Sequence, residues 1–386
     1  MPLGAGPTDE QIAGADGPQG GTEPGFVASP NSAILSGAGS LALSVGGALA
    51  VGALLMVAVG SHPVTAYAAL ASGALGSSYA LTETVVRATP LLFAGLAVLV
   101  SFRCGIWNIG AEGQMLMASL AVIWAGPALA GLPLWVGWAA ALALGAAVGA
   151  GWSLLAGALR LYRGVPEVIS TLMLNLIAYQ LVSWAVNGPL IEAARSQPVS
   201  NPLPQALWLP SLGGTTRLHL GVGLPWILVG LVAFALARTA FGFRLRAVGA
   251  GERAARACGV PVGGVVLSTF ALSGALAGLA PVTDLLGLYP HRLSEGLLSG
   301  VGYQGIPVAL LGGLSPWGCA VSALFFGGLA SGSDAMEQMA GVSSVSVKVL
   351  QAVLVFFLVA RPGVGALRQL AKGRGGPSAL VGEGDE

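Results

Sequence analysis

The chain has 386 residues, of which 55% are hydrophobic and only 9% are charged. Soluble domains carry about 25% charged residues, so a water-soluble protein of this length would have far too few charges to cover its surface. The formal net charge of +1 and the absence of any basic run give no indication of a nucleic-acid partner.

Long apolar segments instead predict an all-α polytopic membrane protein with about ten transmembrane segments, since one helical span needs roughly 20 apolar residues. The eight clearest segments are Gly39–Gly60, Thr89–Phe102, Ala111–Ala130, Leu134–Leu159, Val165–Val186, Leu220–Ala237, Val265–Leu286 and Val345–Ala360. Two shorter pieces, Tyr303–Leu311 and Trp317–Ala330, lie before the last of these. The first short piece is either the core of a longer segment or a half-helix buried in protein.

The charged residues suggest how the chain is oriented and divided. Residues 34–360 form the predicted transmembrane domain, between a disordered tail at 1–33 and a second polar tail at 361–386. If the N-terminus is cytoplasmic and ten segments cross, most of the 17 lysines and arginines fall on the cytoplasmic side. We therefore expect both termini to be cytoplasmic.

Two long loops interrupt the apolar pattern. Asn187–His219 contains several prolines and Trp208, and we expect it to form a structured cap on the outer side. Thr239–Gly264 lies on the inner side and is rich in arginine. A long polar excursion in a chain with little other cytoplasmic mass is the place to expect a partner surface.

The densest polar cluster within apolar sequence is Arg103–Gln114, RCGIWNIGAEGQ. Polar groups at the start of a spanning segment are costly unless they face protein, water or a solute. Asn108, Glu112 and Gln114 are therefore candidate residues of a translocation path, with nearby glycines breaking the helix as in transporters. The alternative is an ordinary cytoplasmic loop in which Glu112 favours the helix dipole.

A second cluster, Val165–Asn175, opens the next segment. Asn175 falls in the middle of the predicted helix, where its amide needs a partner. It is either a fourth residue of the translocation path or a hydrogen-bonding residue between helices.

The remaining polar residues indicate structural roles. Asp284, Asp334 and Glu337 are expected to pair with Arg292 or Lys348, and the GxxxG pairs Gly145/Gly149 and Gly274/Gly278 predict close helix packing. The histidines and the three cysteines have no metal-ligand spacing, so neither a metal nor a cofactor is predicted. No GxxxxGK[ST] phosphate loop occurs, so this chain is not expected to be an enzyme that hydrolyses nucleotide.

Four motifs make the sequence resemble a known family. They are GIWNIGAEGQMLM (Gly105–Met117), PEVISTLMLN (Pro166–Asn175), GFRLRAVGAGERAARACGV (Gly242–Val260) and GYQGIPVALLGGLSP (Gly302–Pro316). In this order they resemble the permease subunits of bacterial ABC importers for nucleosides and simple sugars, over about Thr82–Arg361.

The resemblance implies a type II-like permease of about ten helices in the bacterial cytoplasmic membrane. It implies three partners: a separate cytoplasmic ABC ATPase, a second and different permease, and an extracytoplasmic substrate-binding lipoprotein. It also implies that the inner loop forms the coupling helix that docks on the ATPase, with these candidates: Gly249, Glu252, Ala254, Ala255 and Gly259. One departure is Gly251, where the family more often has Asn as the helix cap.

Two alternatives stay open from the sequence. One is a permease for branched-chain amino acids, a related ABC group. The other is a secondary transporter coupled to H⁺ or Na⁺, which would require a carboxylate near the membrane midplane, with Glu112 and Asp284 as the nearest candidates.

Overall fold

The structure is a computed structural model, and it describes residues 46–54, 56–57, 60–214, 216–297, 299–343, 345–349, 351–353 and 356. The predicted tails at 1–33 and 361–386 lie outside these residues. The α-helices whose ends are described are α1 (Pro63–Leu75), α2 (Ser78–Arg103), α3 (Ala111–Leu129), α4 (Leu134–Arg163), α5 (Glu167–Asn187), α6 (Gly223–Arg238), α7 (Ala240–Ala250), α8 (Glu252–Ala257), α9 (Val262–Gly287), α10 (Val301–Leu311) and α11 (Pro316–Ala340). Residues 46–54 and 345–349 are also helical.

The all-helical prediction is confirmed for the part of the chain that the structure describes, where extended backbone pairs only in isolated bridges. Six helical stretches there are long and apolar enough to cross a membrane, namely Ser78–Arg103, Leu134–Arg163, Glu167–Asn187, Leu220–Arg238, Val262–Gly287 and Pro316–Ala340. The predicted number of about ten transmembrane segments is therefore not confirmed. At 1.5 Å per residue the 11 residues of α10 are only about 16 Å long, about half of a bilayer core.

Two helices extend well beyond the apolar segments that predicted them. Helix α2 begins at Ser78 rather than Thr89, and α11 ends at Ala340 rather than Ala330. Both extensions carry charged side chains that hydropathy alone would place outside a span. The charges are tolerated because Arg87 of α2 bonds to Asp334 of α11 at 2.5 Å, so the two helices neutralise each other.

Helix α2 is the centre of the molecule and is buried along most of its length. Its N-cap is Ser77, whose hydroxyl accepts a hydrogen bond from the backbone N–H of Ala80 at 3.0 Å. It packs against α9, α10 and α11.

The predicted glycine pairs are confirmed as a contact between α4 and α9. A Cβ on Gly149 would lie 2.2 Å from the carbonyl oxygen of Gly274, and one on Gly278 would lie 2.3 Å from that of Gly145. Both helices therefore need glycine here for their backbones to touch, as small residues allow in membrane helix pairs.

Helix α1 had no counterpart among the predicted segments. Its 13 residues are apolar but too few to give a spanning signal. It packs on α11, where a Cβ on Gly73 would come within 3.1 Å of the Cα of Gly332. The contact depends on residues distant in sequence, which a local pattern does not reveal.

The long loop after α5 is folded, as predicted. It forms antiparallel bridges between Ile191 and Ser200 and between Ser211 and His219, and a third joins Val199 to Ser294. We call residues 188–222 and 288–300 together the cap. Trp138 of α4 donates from its indole N–H to the carbonyl of Leu207 at 3.0 Å, which ties the cap to the helices.

Candidate functional site

The chain between α2 and α3 leaves the helical conformation over residues 104–110. Gly105 adopts a φ of +75°, which glycine adopts without the strain that a Cβ would cause. Ile106 and Asn108 are buried although they are not helical. Irregular backbone at membrane depth requires such burial in protein or a water-filled cavity.

Asn108 anchors this irregular segment to α9 and α3. Its Nδ2 donates to the hydroxyl of Ser273 at 2.9 Å, and Ser273 in turn donates to the carbonyl of Ala97 in α2. Its Oδ1 accepts from the backbone N–H of Gly110 at 3.0 Å and from Nε2 of Gln114 at 3.1 Å. The Oε1 atom of Gln114 is buried without a hydrogen-bond partner among the described residues.

Asn175 connects α5 to the starts of α3 and α10. Its Oδ1 accepts from the backbone N–H of Gly113 at 2.9 Å. Its Nδ2 donates to the carbonyl of Ile109 and to the hydroxyl of Tyr303, each at 3.0 Å. The mid-helix amide thus satisfies its hydrogen bonds between helices.

Glu112 caps the first turn of the half-helix α10. Its two carboxylate oxygens accept from the backbone N–H groups of Gly300 at 2.6 Å and Gly302 at 2.8 Å. Unpaired N–H groups and the positive end of the dipole make a helix N-terminus a good site for a carboxylate. A Cβ on Gly302 would lie 2.3 Å from the Glu112 nitrogen, so α10 approaches α3 closely.

The structure therefore brings the four candidate path residues, Asn108, Glu112, Gln114 and Asn175, together around the start of α3, where Glu112 is partly buried and the other three are buried. We call this group the central network, with the buried Ser273 and the 40% exposed Tyr303 as further members. Neither of these two was singled out in the sequence. Tyr303 lies in the fourth motif, which could have indicated it, whereas Ser273 sits in an apolar helix with no comparable signal.

The loop that the sequence predicts on the inner side forms two helices, and we call residues 240–259 the coupling segment after the role that the sequence resemblance implies. A Cβ on Gly249 would lie 2.2 Å from the carbonyl oxygen of Arg103, so α7 ends in close contact with the end of α2. Helix α8 begins after Gly251 without a side-chain cap. It ends in a Schellman motif, with Gly259 at φ +78° and the N–H of Val260 bonded to the carbonyl of Ala255 at 3.0 Å.

The two faces of α8 differ in exposure. Ala255 is buried at 5% and packs toward the helix bundle, so it does not reach the surface. Arg253, Ala254, Arg256 and Ala257 are exposed. Glu252 bonds to Arg160 of α4. The exposed face of α8 therefore carries two arginines and two alanines.

Ion pairs are most numerous at the end of the bundle that carries the cap. Glu83 accepts from Arg87 at 2.9 Å and from Arg217 of the cap at 3.0 Å. The predicted pairing of Asp334 with Arg292 or Lys348 is wrong, because Asp334 pairs with Arg87. Arg292 pairs with Glu192 at 2.5 Å, within the cap. The expected ion pair of Asp284 is not formed among the described residues: its Oδ1 is buried without a hydrogen-bond partner.

Two histidines are packed into the cap. His291 stacks on Trp208 with ring centroids 4.2 Å apart, and its Nδ1 lies 2.8 Å from the carbonyl oxygen of Leu285. His219 is buried at 1%, and neither ring nitrogen has a hydrogen-bond partner in the part of the chain described. Burial, together with repulsion by His291 and Arg217, lowers the pKa of His219 to about 4.

Long apolar helices form a bundle in which the irregular segment 104–110 and the half-helix α10 meet at the central network. This arrangement defines a polytopic membrane protein of the transporter class. The chain belongs to the family described as the permease component of branched-chain amino acid transport systems, whose model matches residues 80–359. Proteins of this kind are transport components and not catalytic.

Three relatives sharpen this assignment. The guanosine ABC transporter permease protein NupP of Bacillus subtilis is 34% identical over 317 residues, 80% of this chain and 89% of NupP. The glucose ABC transporter permease protein TsgB13 of Haloferax volcanii is also 34% identical, over 83% of this chain and 87% of TsgB13. The nucleoside ABC transporter permease protein NupB of Lactococcus lactis is 30% identical, over 80% and 87%.

Proposed function

We propose that this chain is a permease subunit of an ATP-driven ABC importer and that it passes a nucleoside or a simple sugar. The observation that carries the proposal is the similarity, over at least four fifths of the chain, to permeases named for guanosine, glucose and nucleosides. The test is uptake of labelled guanosine, inosine, ribose and glucose into vesicles that contain the complete transporter. Uptake that continues without ATP, or none of these solutes entering, would contradict it.

The description of the matching family supports one alternative, a branched-chain amino acid as the solute. The cognate binding protein distinguishes the two, because a ligand that binds only the folded state raises its melting temperature. We expect stabilisation by a nucleoside or sugar and none by leucine. Stabilisation by leucine alone would favour the alternative.

The proposed orientation has about ten spans in a bacterial cytoplasmic membrane, with both termini cytoplasmic. It is supported by the arginines of the coupling segment, since basic loops favour the cytoplasmic side. Cys258 is the exposed thiol of that segment, whereas Cys104 and Cys319 are buried. A membrane-impermeant maleimide should therefore label Cys258 in inside-out vesicles but not in intact cells, and the reverse result would invert the topology.

Three partners complete the proposed importer: a separate ABC ATPase, a second and different permease, and an extracytoplasmic binding lipoprotein. The exposed arginines of α8 favour an acidic groove on the ATPase, because complementary charge steers and orients docking. Co-purification of the four proteins from their native host is the direct check. Recovery of two copies of this chain without another permease would refute the heterodimer.

The docking proposal assigns the ATPase contact to the coupling segment with Gly249, Glu252, Ala254, Ala255 and Gly259 as its framework. The exposed pair Arg253 and Arg256 would make the charged contact. We expect Arg253→Glu with Arg256→Glu to abolish co-purification of the ATPase while the permease still folds. Arg195→Glu, a charge change on the exposed part of the cap, is the matched control. Normal ATPase binding by the double variant would mean that α8 is not the docking helix.

The central network is proposed to brace the translocation route and to supply it with one polar atom that is buried without a partner among the described residues. Asn108, Glu112 and Asn175 use their polar atoms within the protein, whereas Oε1 of Gln114 remains without a partner in the described residues. A route that releases its solute needs few strong contacts. Gln114→Leu should raise the KM for uptake without lowering Tm, and Ser119→Ala in the same helix should change neither. An unaltered KM in Gln114→Leu would remove this residue from the route.

A further inference from the structure

Arg160 lies in the last turn of α4, where its guanidinium contacts carboxylates from two other elements. One amino group bonds to Oε1 of Glu252 in α8. The other, Nη1, lies 3.1 Å from Oε1 of Glu167, the first residue of α5, as an ion pair without hydrogen-bond geometry. The Arg160 side chain is 21% exposed and that of Glu167 is 18% exposed, so this part of the contact is screened little by solvent.

The contact continues from Glu167 toward the central network along two routes. Oε1 of Glu167 also accepts from the backbone N–H of Trp107 at 3.4 Å, and Trp107 directly precedes Asn108. On α5, the carbonyl of Glu167 accepts from the hydroxyl of Thr171 at 2.7 Å. Asn175 follows one turn later on the same face, since residues four apart lie above one another on a helix.

No other described ion pair joins the coupling segment to the rest of the chain. Helix α8 is only six residues long, and of these only Ala255 is buried. When α8 shifts, either the Arg160 guanidinium moves together with the Glu252 carboxylate or the contact between them breaks. A planar guanidinium with donors on both sides is suited to hold two carboxylates in a fixed relation, which a lysine ammonium is not.

We propose that Arg160 is a positioning residue that transmits movement of α8 to the central network through Glu167. The proposal rests on the proposed function, in which a partner ATPase moves the coupling segment. Arg160 contacts neither solute nor nucleotide in this scheme. Its loss should therefore leave docking intact and reduce the number of solute molecules moved per ATP hydrolysed.

The experiment compares variants of the complete importer, with its ATPase, second permease and binding protein, in proteoliposomes. Labelled guanosine and labelled glucose are the probes, and uptake and phosphate release are measured in the same vesicles. Arg160→Gln should lower the solute-to-ATP ratio at least about fivefold, the lower end of typical coupling between sites. Arg160→Lys keeps the charge but not the double contact, so its ratio should fall between those of Arg160→Gln and the wild type.

Arg163→Gln is the matched control, because Arg163 is exposed three residues further on α4 and makes no ion pair within the described residues. Its ratio should stay within about twofold of the wild type. If Arg160→Gln does not fold, Glu252→Gln decides, since it leaves the Arg160–Glu167 pair in place and should lower the ratio in the same way while the ATPase still co-purifies; loss of co-purification in this variant overturns the role of Arg160 as well.

The outcomes separate this proposal from the one on which it rests. An unchanged ratio in Arg160→Gln, or in Glu252→Gln when it replaces that variant, overturns the role of Arg160. Loss of ATPase co-purification in Arg160→Gln also overturns it, because the residue would then serve docking. Absence of ATP-dependent uptake in the wild-type importer would instead refute the proposed function.

Discussion

At the capped end of the bundle, Arg87, Arg217 and Arg292 each lie against a carboxylate of this chain. At the other end, Arg253 and Arg256 of α8 are exposed and form no ion pair within the residues described. The three arginines at the capped end are thus paired within the chain, as is Arg160 near α8, whereas the two exposed arginines of α8 are not. The difference indicates that the arginines at the capped end are held by carboxylates of this chain, whereas Arg253 and Arg256 lack a counter-charge among the described residues.

The largest effect is expected from disrupting the contact between α4 and α9, the helices that connect the two ends of the bundle. Gly149→Ala places a Cβ 2.2 Å from the carbonyl oxygen of Gly274, and since both atoms belong to helix backbones, no side-chain rotation relieves the overlap. We expect a lower yield of folded protein, because overpacking of this kind costs about 1–3 kcal/mol. Fluorescence-detected size-exclusion chromatography in detergent measures this yield.

The control for that variant lies two residues further on the same helix. A Cβ on Gly151 would meet no atom within 4 Å, so Gly151→Ala should keep the wild-type yield. Equal yields from the two variants would mean that α4 and α9 do not pack as the structure shows.

A smaller effect should come from removing the buried carboxylate that holds two arginines at the capped end. Glu83 is 8% exposed at its side chain, so Glu83→Gln leaves Arg87 and Arg217 without a buried counter-charge. We expect the free energy of unfolding to fall by about 2 kcal/mol, less than for a fully buried pair, because the Arg87 and Arg217 side chains are 31% and 47% exposed. Thermal unfolding in detergent gives the measurement.

Asp334→Asn is the matched comparison, because Asp334 contacts the same Arg87 but its side chain is 48% exposed. Its loss should cost less than about 1 kcal/mol. If Asp334→Asn proves as destabilising as Glu83→Gln, burial does not govern the strength of these pairs.

The smallest effect is a loosening of the cap at mildly acidic pH. The pKa of His219 falls from 6.5 to about 4 when the cap is folded, so protonation favours the open cap. The folded cap is therefore fully stable above pH 6.5 and loses stability as the pH falls toward 4, by about 1.4 kcal/mol at pH 5.5. Amide hydrogen exchange of residues 203–222, corrected for the intrinsic effect of pH, should report this opening.

Two variants make the pH prediction specific. His219→Gln should remove the difference between pH 7.5 and pH 5.5, whereas His62→Gln, at an exposed position outside the cap, should retain it. Unchanged exchange in the wild-type cap at pH 5.5 would show that His219 is not held neutral by the fold.

Most structural features that depend on residues close together in the sequence were predicted. Runs of apolar residues predicted the long helices, and the spacing of Gly145/Gly149 and Gly274/Gly278 predicted a close contact that the structure confirms. Asn108, Glu112, Gln114 and Asn175 were recognised because polar groups in apolar segments need partners, and each of them does form hydrogen bonds near the start of α3.

What the sequence did not predict depends on residues far apart in the chain. Ser273 and Arg160 act through partners that are 165 and 92 residues away, and no local pattern indicates those pairings. The pairing of Asp334 with Arg87 was missed for the same reason, since 247 residues separate them. Helix α1 was missed because its stability comes from packing on α11 rather than from its own length.

The hydrogen bonds that the Glu112 carboxylate accepts at the N-terminus of α10 have a consequence for biosynthesis. The carboxylate belongs to α3, yet the N–H groups that it accepts from lie 188 and 190 residues later in the chain. Until the ribosome has delivered that later part, the Glu112 carboxylate in the first turn of α3 lacks these two donors. The start of α3 is therefore fully hydrogen-bonded only when α10 arrives, so the packing of the N-terminal half is completed by the C-terminal third of the chain.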